Sequence, residues 1–106
     1  MPKFLVEASY TAEGLRGLAK DKASGRKAAV EAAMGALGGK VESIHFAFGA
    51  ADVYLVCDLP DNVSAAALGL AVSATGLVRT RTVPLLTVEE TDRALAKMVA
   101  YRAPGA

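Results

Sequence analysis

The chain has 106 residues, 12 of them basic and 11 acidic, for a net charge of +1. That balance gives no case for a polyanionic partner, so nucleic-acid binding is not expected. A hydrophobic share of 53% with 22% charged residues excludes disorder and predicts a single globular domain over residues 1–100, with 101–106 as a frayed tail.

In chain order, Lys3 to Ser9 alternates and is rich in apolar residues, which predicts a first strand. Phe4, Val6 and Ala8 point to one side; Lys3, Leu5, Glu7 and Ser9 point to the other. Thr11 then caps a short helix whose pattern breaks between Lys22 and Gly25. Ser24 reads as a fresh cap for a longer helix to Leu37, with Val30, Ala33, Met34 and Leu37 on its apolar stripe. Gly38-Gly39 ends it, because glycine takes the left-handed C-terminal conformation freely.

Val41 to Phe48 and Asp52 to Asp58 form a hairpin across Gly49-Ala50-Ala51. Ser43 and His45 are assigned to the face that carries Tyr54 and Val56, although a bulge in this second strand would reverse the choice. Asp61 caps a helix of Ala, Leu, Val and Gly that closes at Gly76, and Leu77 to Leu85 is the fourth strand. Thr87-Val88-Glu89-Glu90 is a capping box that opens a third helix reaching about Val99.

The single cysteine, Cys57, lies in an apolar strand and reads as an inert small hydrophobe. Unpaired cysteine suits a reducing compartment. No signal peptide is visible at Met1-Pro2-Lys3-Phe4, and the apolar run from Ala65 to Val72 is short of the roughly 20 residues a bilayer span needs. The expectation is a soluble cytoplasmic protein with no membrane partner.

The order strand-helix-strand occurs twice. With right-handed crossovers it predicts an α+β, ferredoxin-like βαββαβ(α) fold: a four-stranded antiparallel sheet of order 4-1-3-2, both main helices on one face. The other face then carries Leu5, Glu7, Ser43, His45, Tyr54, Val56, Arg79, Arg81 and Val83. That mixture is too apolar for full exposure and too charged for a dry core. A second copy of the chain packed on it, giving a dimeric α/β barrel, is the simplest reading, and the third helix could then lie across that partner.

Phe4-Leu5-Val6-Glu7-Ala8-Ser9-Tyr10-Thr11 with Glu13-Gly14-Leu15 resembles the opening of the GYD-domain family. Gly38-Gly39-Lys40-Val41-Glu42-Ser43 and Phe46-Ala47-Phe48-Gly49 are similar to its middle. Pro60-Asp61-Asn62, Ser73-Ala74-Thr75-Gly76 and Pro84-Leu85-Leu86-Thr87 are similar to its second half. The family signature is a Gly, Tyr and Asp set at the turn between strands two and three. Gly49 and Asp52 stand there, with Ala51 where the signature has Tyr. The resemblance implies a dimeric α/β-barrel fold and supplies no established catalytic residues and no cofactor.

Candidate ligand-binding residues are Glu7, His45, Asp52, Tyr54, Arg79 and Arg81. His45, the only histidine, is either an acid-base group or a hydrogen-bonded interface residue. Without a second His or paired Cys no metal site is expected. Glu7 lies beside the fourth strand, so Arg79 or Arg81 can pair with it, or the two arginines can hold a carboxylate or phosphate. Tyr54 packs at an interface or donates its hydroxyl there. Asp52 satisfies turn amides or serves the site.

Three functions fit. One is a homo-oligomeric module binding a small molecule, between sheet and helices or between subunits, with no cofactor. Another is a cofactor-independent oxygenase or isomerase, suggested by fold analogy alone, with His45, Tyr54 and Arg81 as acting groups in a closed pocket. The third is a purely structural interaction module.

Overall fold

The computed structural model describes all residues from Met1 to Ala106. Its elements are β1 (Lys3–Tyr10), α1 (Ala12–Ala36), β2 (Lys40–Phe46), β3 (Val53–Asp58), α2 (Asn62–Ser73), β4 (Val78–Leu85) and α3 (Val88–Ala96). The four strands form one antiparallel sheet of order β2-β3-β1-β4, which is the expected order read from the other edge. This is the α+β, ferredoxin-like arrangement.

Period-two alternation puts Phe4, Val6, Val53, Leu55 and Cys57 on the covered face, and all five are buried. Met34 of α1 and Ala65 and Leu68 of α2 close over them, with Leu59 at the end of β3. Each of the large apolar side chains here contributes roughly 1.5–3 kcal/mol through burial. Gly14 is buried because its Cα lies against the Leu77 backbone carbonyl, where a Cβ would collide. That contact locks the start of α1 to the entry of β4.

Two helix starts follow the expected chemistry. The Thr11 side chain accepts from the Gly14 amide at 3.1 Å, and the Asp61 carboxylate accepts from the Ser64 amide at 2.8 Å. The Ser64 amide holds the Asp61 carboxyl below its ordinary pKa. The break in α1 falls at Lys22, whose φ of 64° and ψ of 166° are non-helical, two residues ahead of the expected cap at Ser24. The helix resumes at a new angle to the sheet.

The second strand ends at Phe46 rather than Phe48, and Phe48 is fully exposed. A bulge between Val41 and Ser43 explains its mixed pattern. Val41 and Ile44 are an odd number of residues apart and would face opposite ways in a regular strand. The extra residue, Glu42, lets Val41 pair with Cys57 and Ile44 with Leu55, both over the core. His45 consequently pairs with Tyr54, on the open face.

α3 ends at Ala96 rather than Val99. Its capping box forms, with Thr87 and Glu90 exchanging hydrogen bonds of 2.8 and 3.0 Å. None of its residues is buried: Val88 and Leu95 are 80% and 76% exposed, and Met98 just beyond it is 95% exposed. The arm stretches the molecule to 55 Å and its radius of gyration to 16.7 Å, against about 13 Å for a compact chain of this length.

Candidate functional site

Two parts of the fold gather chemistry. The first is the open sheet face. Its strand registers place four side chains in one row across the whole sheet: His45 opposite Tyr54, Tyr54 opposite Glu7, and Glu7 opposite Arg81. Directly opposed residues in an antiparallel ladder have Cβ atoms about 4.5–5.5 Å apart. The adjacent row is Ser43, Val56, Leu5 and Val83, mostly apolar. One end of the face is closed by Lys3, whose ammonium donates to Asp58 and Glu42 at 2.9 Å each. Those two acceptors, Asp58 foremost, hold the Lys3 pKa above its ordinary value.

At the other end Ser9 lies opposite Arg79. Glu7, Ser9, Arg79 and Arg81 line a depression of about 220 Å³ together with Ala50 and Ala51. Ala51 is buried there, so the small side chain in the signature position helps to shape the depression. Glu7 forms no ion pair with Arg79 or Arg81; the ion pairs of the chain are Lys3 with Glu42, Lys3 with Asp58, and Arg26 with Asp21.

Asp52 is engaged differently from its neighbours. Its carboxylate accepts from the Tyr10 amide at 2.8 Å, and its own amide donates to the Ala8 carbonyl at 2.8 Å. The carboxylate thus serves one backbone amide of β1, Tyr10, and not the amides of its own turn that were expected. His45 and Arg81 face solvent and Tyr54 is half-buried. A catalytic role for these three required a closed pocket holding at least two of them, and none of the four cavities of the single chain does so. No three of the His, Cys, Asp and Glu side chains come together in a group that could hold a metal ion.

The second part is a cleft between the covered face, α1 and α2. An inner chamber of about 60 Å³ is lined by Val6, Val30, Val53, Leu55, Leu68 and Val72, among others. It adjoins an outer compartment of about 300 Å³ toward Gly14, Asp21 and Thr75. Tyr10, Arg26, Leu68, Val72 and Val78 line both. The sequence places one possible ligand position between sheet and helices, but none of its candidate site residues lines this cleft. The signal in the sequence is the helix break at Lys22, which sets the second part of α1, and Arg26 with it, at its own angle.

Cys57 beneath the core is inert in kind: burial pushes its thiol up to about 11, so it is protonated at neutral pH.

The fold and the two-sided sheet define a ferredoxin-like α+β domain with a helix-covered cleft on one side and a half-polar uncovered face on the other. The chain belongs to the GYD-domain family, whose family model matches residues 4–95. No curated protein and no solved structure matches it significantly. No helix is long and apolar enough to cross a membrane.

Proposed function

We propose that this GYD-domain protein is a homo-oligomeric small-molecule-binding module, with the ligand held in the cleft between sheet and helices. The observation that carries the reading is the continuity of the apolar chamber with the wider, partly polar outer compartment. Together they offer what ligand sites offer in general: an apolar wall, few polar groups and a way in.

Self-association is supported by area. The single chain exposes 7380 Å², whereas a monomer of this mass exposes about 5,600 Å². The excess is larger than the roughly 800 Å² that each partner contributes to a standard interface. The open face supplies an apolar row of Leu5, Val56 and Val83 beside polar groups that lack partners within the chain. The exposed α3 supplies Val88 and Leu95 for packing, and Glu89 and Asp92 to meet Arg79 and Arg81 of a second copy.

Methyl-labelled NMR spectra recorded against a panel of small metabolites test the ligand reading. Shifts concentrated on Val30, Leu68 and Val72 are expected for at least one compound. A panel that moves none of these methyls contradicts it.

A further inference from the structure

The cleft has one feature that selects among ligands. Arg26 is the sole charged residue lining the inner chamber, and it lines the outer compartment as well. Its only ionic neighbour is Asp21, at 3.8 Å, with the Arg26 side chain 31% exposed. A charge-assisted hydrogen bond runs about 2.7–2.9 Å, so this contact is a loose ion pair that leaves the guanidinium fork unspent. Partly exposed pairs of this kind contribute little, and an incoming anion displaces one at small cost.

We propose that the ligand is an amphipathic organic anion, with an alkyl or aryl end in the chamber and a carboxylate on Arg26. This rests on the cleft being the binding site. The chamber walls are mostly apolar, Val6, Val53, Leu55, Leu68 and Val72 among them, and beside Arg26 only the side-chain hydroxyls of Tyr10, Thr80 and Thr82 are polar. Its volume admits about four water-sized groups, enough for the end of a chain or the edge of a ring. A neutral ligand filling the cleft would strip water from Arg26 and return at most a neutral hydrogen bond, weaker than the charge-assisted one a carboxylate gives. A carboxylate satisfies the same fork with two parallel hydrogen bonds. Charge and cavity thus select one class: apolar at one end, anionic at the other.

Octanoate and 1-octanol, which share a chain and differ in charge, separate the two claims. Titration of the full chain, followed by calorimetry and by the Leu68 and Val72 methyl signals, should show octanoate binding at least about ten-fold more tightly than 1-octanol. Arg26→Gln should remove that preference while leaving 1-octanol binding unchanged. Arg26→Lys, which keeps the charge but loses the fork, should fall between. Equal binding of the two probes, or an octanoate affinity indifferent to Arg26→Gln, overturns the anion assignment and leaves the cleft standing. Failure of both probes to bind or to move the methyl signals overturns the cleft reading as well.

Discussion

Glu7 stands directly opposite Arg81 in the β1–β4 ladder, yet no ion pair joins them. Opposite charges at such positions normally support a sheet by a few tenths of a kcal/mol to about 1 kcal/mol. Here the arginine is exposed and free to meet another surface. Arg81→Glu should therefore leave the stability of the isolated chain within about 0.5–1 kcal/mol, while weakening self-association at least about ten-fold. Thermal melts at low concentration, paired with sedimentation at higher concentration, read the two effects separately.

The arm makes a matching prediction. Val88→Lys with Leu95→Lys places charge on a helix that buries nothing within its own chain. Surface changes of this kind cost a monomer little, about 0.5 kcal/mol each. The double variant should melt like the parent when dilute and sediment as a smaller species when concentrated.

Asp52 is expected to act on stability. Its carboxylate is the acceptor for the Tyr10 amide, at the end of β1. Asp52→Ala leaves that amide unpaired and should cost about 1–3 kcal/mol in chemical denaturation. Asp52→Asn keeps an acceptor oxygen and should cost less. Equal stability of Asp52→Ala and the parent would contradict the role.

Two glycines of α1 should respond in opposite directions. A Cβ at Gly14 meets the Leu77 carbonyl, whereas one at Gly17 meets nothing within 4 Å. Gly17→Ala should gain up to about 1 kcal/mol from helix propensity. Gly14→Ala should lose stability despite the same propensity gain, because backbone must move to admit it. Melting temperatures of the pair decide this.

Cys57 gives a pH signature. Its folded pKa is raised from 9.0 to about 11, mainly by burial. The folded state therefore retains a proton that the unfolded chain releases. The associated stability is fully present below pH 9.0 and is lost as pH rises toward about 11. Between those values Cys57→Ala should lose stability less steeply than the parent. At neutral pH the parent thiol should resist alkylation until the chain is unfolded.

Much of this fold was legible because local signals agreed with one another. Thr11, Asp61 and Thr87 each precede an apolar pattern and each caps its helix. The alternation of β1 and β3 named the buried face residue by residue. The strand-two bulge was less legible, since one inserted residue inverts facing without changing composition; only pairing with β3 fixes it at Glu42. The open-face row of His45, Tyr54, Glu7 and Arg81 followed from sheet order plus register. The lining of the cleft between sheet and helices did not, because a cavity is a mismatch of packed volumes between elements distant in sequence. Nor did the unpacked state of α3, since an amphipathic stripe looks the same whether it covers its own core or another chain's.

Sedimentation equilibrium of the full chain at micromolar concentration decides whether a second copy closes the open sheet face. A dimer or larger species is expected, with Arg81→Glu shifting the equilibrium toward monomer. A parent chain that sediments as a clean monomer throughout that range would contradict it.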